Sequence, residues 1–183
     1  MKLEVIRMTL GPLPNNVYLL GDREAGQAVV IDPSFESQAV LHRVENEGWQ
    51  LTAIWLTHAH FDHIAGAGAI ACAYDPPLPI GLHPADAGWY ARKGGAAQFG
   101  LSIPQPPEPT LRFRDGMSLR LVQGGPAAAA VLHAPGHTPG HVMFYCESLG
   151  ALFCGDVIFR MGVGRTDLEG GDTDTLLQTD RKS

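Results

Sequence analysis

The chain has 183 residues, enough for one domain of ordinary size with little room for a second. Hydrophobic residues make up 45% and charged residues 17%, which excludes a disordered composition, and no stretch reaches the roughly 18 apolar residues of a membrane helix. Lys and Arg number 13 against 19 Asp and Glu, and the resulting charge of −6 argues against a nucleic-acid backbone as partner.

Residues 2–10, 16–21 and 27–31 read as three short strands separated by turns, the outline of an antiparallel meander. The opening run Met1 to Arg7 mixes charges and lacks the basic and apolar regions of an export signal, so a cytoplasmic protein is expected. Ser34 has the character of an N-cap. Val40, Leu41 and Val44 follow with helical spacing up to Glu47, and Gly48 stops the helix. A nearly continuous apolar strand over 51–57 suits burial on both faces and runs into a polar loop at 57–63. A small-residue helix is predicted over 64–74, a strand over 78–83, and a helix opened by proline over 84–93. The proline-rich stretch 94–109 reads as an irregular loop. Strands return at 111–113, 118–122, 129–133, 142–146 and 151–154, with turns between them, so two packed sheets with helices outside are expected. Cys72, Cys146 and Cys154 are odd in number and form no C-x-x-C pair, which favours small apolar core residues over a disulfide framework or zinc ribbon. Met8, Trp49, Trp55 and Phe99 read as core or pocket wall.

Eight histidines stand out in a chain with so few charges. Three fall within His58-Ala59-His60-Phe61-Asp62-His63, and three more lie at His133, His137 and His141. His42 and His83 read as isolated, solvated or capping residues. The first cluster follows a buried strand and joins imidazoles to a carboxylate, the ligand types preferred by zinc, iron and manganese. A loop leaving a strand end can turn His58 and His60 toward one metal while the next turn swings Asp62 and His63 toward another. Such a pair of cations holds a hydroxide with a pKa near about 7 and polarises a carbonyl or phosphoryl oxygen. The second cluster supplies a distant ligand, and Gly155-Asp156, after the apolar run Leu152-Phe153-Cys154, places one more carboxylate at a strand end.

These runs resemble the motifs of the metallo-β-lactamase superfamily, and within it the glyoxalase II-like (hydroxyacylglutathione hydrolase-like) hydrolases. The run from Thr57 to Gly66 is similar to the family's H-x-H-x-D-H signature, and Pro135-Gly136-His137-Thr138-Pro139-Gly140-His141 resembles its second motif. The run Leu152 to Phe159 resembles its third, and the opening hairpin with Asn16 and Tyr18 resembles its first. The resemblance implies an α/β fold, a four-layer αββα sandwich of two mixed sheets with the site at one edge between them. It implies two divalent metal ions, zinc first and iron or manganese as alternatives, with His58, His60 and His137 on one, Asp62 and His63 on the other, and Asp156 bridging. It also implies a structural His141, leaves His133 as a core or strand residue, and places Asp32 near the site, where orienting a ligand imidazole and capping a helix are equally good roles. Arg165, in a loop after Asp156, either meets a substrate carboxylate or forms a surface ion pair.

The implied activity is hydrolysis of a small-molecule thioester such as an acylated glutathione, with Asp62 orienting the attacking hydroxide. Two alternatives accompany it: a mononuclear iron persulfide dioxygenase using His58, His137 and Asp156, and a chain that binds metal without turnover. Neither nucleic acid nor a membrane is expected as partner. One departure stands out, because the family's second metal has a further histidine in a downstream Gly-His-Gly type loop and His141 is the last histidine here. The expectation is a single domain over 1–183 in which the last strand and helix are missing, through truncation or frameshift first, with a natural short form or completion by a partner chain as alternatives. A weaker second metal site and self-association through an exposed C-terminal edge would follow.

Overall fold

The computed structural model describes residues 1–180. Three strands open it, β1 (Leu3–Leu10), β2 (Asn15–Asp22) and β3 (Gln27–Ile31), paired antiparallel in the meander expected from their turns. Helix α1 (Ser37–Asn46) buries Val40 and Val44 and is closed by Gly48, whose positive φ of 67° lets its N–H reach the Glu45 carbonyl. Its N-cap is not Ser34 but Glu36, which sits in the left-handed region and makes no side-chain cap bond. Ser34 is instead buried at a crowded crossing, where a Cβ on Gly66 would stand 2.3 Å from its carbonyl oxygen.

The chain then enters β4 (Gln50–Trp55), which lies parallel to β3 and to β5 (Ile80–Leu82), and β5 in turn pairs with β6 (Leu111–Arg112). The result is a six-stranded mixed sheet in the order β1-β2-β3-β4-β5-β6. Leu56, Thr57 and His58 have already left the strand, two residues sooner than the hydrophobic run suggested. The segment expected as loop and then one helix folds as two short helices, α2 (Phe61–Ile64) and α3 (Ala67–Ala71), so that Asp62 and His63 lie in a helical turn. Gly66 separates them because its N–H bonds to the Pro33 carbonyl and no side chain fits there. The helix predicted over 84–93 is a 3₁₀ turn at Pro84–Asp86 followed by α4 (Ala87–Ala91). It breaks at Gly94 and Gly95, both with positive φ, where a Cβ on Gly94 would press into the backbone of Phe61.

The second sheet contains β7 (Ser118–Leu119), β8 (Ala129–His133), β9 (Val142–Cys146) and β10 (Ala151–Phe153), in that order. It is antiparallel throughout among the described residues, a correction to the expectation of two mixed sheets, because its strands follow one another without a crossover helix between them. A small hairpin, β11 (Ile158–Phe159) with β12 (Gly162–Val163), was not legible in the sequence, and helix α5 (Thr173–Asp180) follows it.

Burial follows strand alternation. On β3, Ala28 and Val30 face the helices while Val29 and Ile31 face the second sheet. A register irregularity opposite Thr52 lets Leu51 join the helix side and Ala53 the inter-sheet side of β4. Trp55, Phe113, Val131, Phe144 and Cys146 fill the space between the sheets. On the far side, Ala134, Met143 and Val157 pack against Leu176 of α5. The layers are therefore helices, sheet, sheet, helix. Cys72, expected in the core, is exposed. No helix among the described residues is long and apolar enough to cross a membrane.

Candidate metal centre

The ends of β3 and β4, the β8–β9 connection and the end of β10 meet at one edge of the sandwich, and all but β3 bring candidate donor side chains there. His58 leaves β4, His60 precedes α2, Asp62 and His63 lie in it, His137 comes from the β8–β9 loop, and Asp156 follows β10. His58 Nε2 stands 3.1 Å from His60 Nδ1, which stands 2.9 Å from His137 Nε2. Tetrahedral zinc–nitrogen bonds would separate ligand nitrogens by about 3.3 Å, so the three atoms lie close to the edges of one coordination shell. A second group consists of His58, His63 and Asp156, and within each group the ligand atoms lie within 4.8 Å of one another.

Asp156 stands between the groups. One carboxylate oxygen is 3.2 Å from His63 Nε2 and the other 3.5 Å from His137 Nε2. Asp62 lies on the His63 side, 3.8 Å from Nε2. The histidine side chains are buried whereas the Asp156 side chain is 24% exposed, which leaves the carboxylate face as the way in.

Electrostatics sort the imidazoles. Burial, reinforced by crowding among the rings, pushes His58 and His141 below the ordinary histidine value and His60 down to about 3, and burial outweighs the pull of Asp156 to lower His137 as well. They are neutral, with lone pairs to offer. Burial acts the same way on His63, but Asp156 and Asp32 outweigh it and hold its proton well above the usual range. Burial would raise Asp156, yet His63 and then His137 keep it well below the ordinary carboxylate range. Converging neutral nitrogens of His58, His60 and His137 beside the carboxylates of Asp62 and Asp156 fit a divalent metal, and at His63 Nε2 a cation would take the place of the proton that Asp156 holds there.

Outer contacts fix the rings. Asp32 accepts the Thr57 N–H at 2.7 Å on one oxygen, and its other oxygen accepts the Thr57 hydroxyl at 2.6 Å and meets His63 Nδ1 at 3.0 Å. It orients an imidazole and caps no helix. The Thr57 hydroxyl also lies 3.0 Å from His58 Nδ1, and His137 Nδ1 donates to the Arg165 carbonyl at 2.7 Å, so both rings turn Nε2 inward. His141 accepts the Asp156 backbone N–H on Nε2 at 3.1 Å and stacks on His58, a supporting position rather than a facing one. Asn15 donates from Nδ2 to both the carbonyl and the carboxylate of Asp62, at 3.0 and 2.9 Å. Neither Asn15 nor Thr57 stood out in the sequence. Thr57 is legible only as a neighbour of His58, and Asn15 carries no local signal at all.

Arg165 lies on the rim, where its guanidinium pairs with Asp167 at 2.7 and 2.8 Å. Its side chain borders a cleft of about 90 Å³ with His60, Asp156, Phe61, Phe99 and Leu168. A second cleft of about 250 Å³ opens on the other side of Asp156, lined by Asn16, Tyr18 and Arg160. His83 and His133 lie away from the centre, stacked on each other at 4.3 Å, and His42 is exposed.

The fold and this donor set define a metal-binding αββα hydrolase scaffold, and the chain belongs to the metallo-beta-lactamase superfamily, whose profile matches residues 10–183. It is 35% identical over 174 residues to the "Probable metallo-hydrolase YqgX" of Bacillus subtilis (strain 168), covering 93% of this chain and 79% of that protein. It is 32% identical over 182 residues to the "Hydroxyacylglutathione hydrolase GloC" of Haemophilus influenzae, covering 99% of this chain and 83% of that one. Among solved structures, TTHA1623 in a di-iron-bound form superposes with a TM-score of 0.86 at 40% identity, over 97% of this chain and 84% of that chain. The protein is a metal-dependent hydrolase of this superfamily with glyoxalase II-like relatives.

Proposed function

We propose that the protein hydrolyses thioesters of the acylated glutathione type, in the cytoplasm, where its three free cysteines would stay reduced. The observation that carries this reading is the placement of Asp156 between two donor groups, with one carboxylate oxygen toward each. His58, His60 and His137 would hold one divalent cation, and Asp62 and His63 the other, with Asp156 reaching toward both. Bound there, the cations supply Lewis-acid polarisation of the thioester carbonyl and lower the pKa of water. Asp62, pinned by Asn15, is placed at the open face to orient the attacking oxygen and take up its proton. Arg165, released from Asp167, would meet a carboxylate of the thiol portion in bidentate fashion. Phe61, Phe99 and Leu168 wall the smaller cleft and keep water from the acyl group.

The similarity to a hydroxyacylglutathione hydrolase supports this substrate class, and the similarity to a protein in di-iron form keeps iron beside zinc as the metal. The three histidines make the tighter site. The other position, with His58 taken by the first, relies on His63 and the carboxylates of Asp62 and Asp156, so the two positions fill unequally.

The test is steady-state turnover of the zinc-, iron- and manganese-loaded protein on thioesters, lactones and phosphodiesters, together with metal analysis. Thioester turnover that disappears in D62A is the expected result. Turnover no greater than that of D62A on every substrate rejects the reading, and one iron per chain with oxygen uptake on a glutathione persulfide replaces it with a dioxygenase.

A further inference from the structure

Asp86 is a carboxylate with no exposed surface, at the end of the 3₁₀ turn Pro84–Asp86, and no residue role described so far uses it. One oxygen accepts the Ala59 N–H at 3.1 Å and the Thr138 hydroxyl at 2.8 Å, and the other accepts the Gly140 N–H at 2.6 Å. No cation lies within ion-pair distance of it among the described residues. Its three partners occupy telling positions. Ala59 separates His58 from His60, Thr138 follows His137, and Gly140 precedes His141. One side chain, delivered from a third segment, therefore holds the histidine loop of the six-stranded sheet against the histidine loop of the four-stranded sheet.

We propose that Asp86 is a positioning residue that sets the spacing between the His58/His60 pair and His137, and with it the geometry and affinity of the three-histidine metal site. The proposal rests on the reading of those histidines as metal ligands.

A carboxylate is the side chain that three converging donors demand, because it accepts at both ends and donates at neither. Asparagine has the same shape but turns an N–H toward at least one of the three donors. The fit on the loop side is equally tight, since a Cβ on Gly140 would come within 2.6 Å of Asp86. Besides the contacts among the histidine rings themselves, the Val142 N–H bonds to the Thr57 carbonyl at 2.8 Å. It lies on the strand side of the histidines, so with Asp86 gone the loops stay attached and their tips lose register.

The test compares D86N, T138V and T138S with the wild type. Readouts are zinc affinity by chelator competition, the visible spectrum of the cobalt(II)-substituted protein, and the melting temperature of the metal-free protein. V44A, a core variant far from the loops, is the control for stability alone. In D86N the zinc affinity of the tighter site is expected to fall about tenfold or more, with altered cobalt bands. T138V shows a smaller fall that T138S restores, and V44A melts lower with an unchanged cobalt spectrum. Wild-type affinity and spectrum in D86N overturn the proposal. If D86N does not fold, T138V decides: affinity below that of T138S supports the role, and equal affinity overturns it. Failure of the wild type to bind zinc or cobalt through His58, His60 and His137 would instead sink the metal reading itself.

Discussion

Single polar atoms decide how the donors are aimed. Asn15 grips Asp62 through both hydrogens of one amide, so N15A leaves the carboxylate free to rotate away from His63. Losing such an outer contact costs on the order of 10–100-fold in metal affinity or activity. For N15A we expect a fall of that order in kcat/KM with the melting temperature unchanged, read by parallel kinetics and calorimetry. Gly164 is a second such point, because a Cβ there would stand 1.8 Å from the Asp156 carbonyl oxygen and 3.1 Å from His137 Nδ1. G164A is expected to lower metal content per chain, measured by elemental analysis, by displacing Asp156 and the neighbouring carbonyl of Arg165. Away from the centre, His83 accepts the Ala85 N–H on Nδ1 and stacks on His133, whose own backbone N–H donates to Asp115. Burial first, and then His133, lowers its pKa below the ordinary 6.5, and Glu108 and Arg112 line the cleft beside it. A histidine lowered in the folded state binds its proton more readily when unfolded, so its contribution is present above about pH 6.5 and is lost as the pH falls below it. Melting of the metal-free protein should weaken on acidification through that range, and H83N, which keeps an acceptor without titrating, should flatten part of the slope.

Elements were legible where their signals are local. The strands of the meander and of the second sheet follow from alternation and turn residues, the order of strands and helices points to two packed sheets with helices outside, and the resemblance to the family implies the αββα sandwich. The histidine clusters stand at strand ends, so His58, His60, His63 and His137, with Asp62 and Asp156, could be singled out as candidate donors, and the fold brings them together at one edge. What escaped was set by contact across the chain. Residues 64–74 look like one helix until Gly66 must pass beneath Pro33 and Ser34, and Ser34 looks like a cap until that same crossing buries it. Asn15 and Asp86 are ordinary polar residues by sequence, and both act on loops far from them. β4 is the element on which the centre depends, since it lies between β3 and β5 and ends at His58. Ile54, fully buried on its helix side, has no room to relax. I54A is expected to cost about 2–5 kcal/mol in denaturant unfolding of the metal-free protein, lowering metal affinity only through the unfolded fraction.

At the scale of the molecule, the two sheets share a face of aromatic and branched side chains and meet again at the ligand loops. A metal bound only by the folded state adds to this junction. At about a hundredfold excess over its dissociation constant it contributes about 2.7 kcal/mol, which for a chain of this size is about 5–10 °C in melting temperature. Treatment with a chelator should lower the midpoint by that order, and zinc or iron should restore it in proportion to the logarithm of free metal. The position of the donors also orders events in time. His58 and Asp156 are about a hundred residues apart and come from different sheets, so a long loop must close before they meet. A nascent chain that has built only the first sheet holds His58, His60 and His63 without His137 or Asp156, and retains metal weakly. Metal uptake therefore comes at the end of folding, and a tightly held ion marks a chain that has finished it.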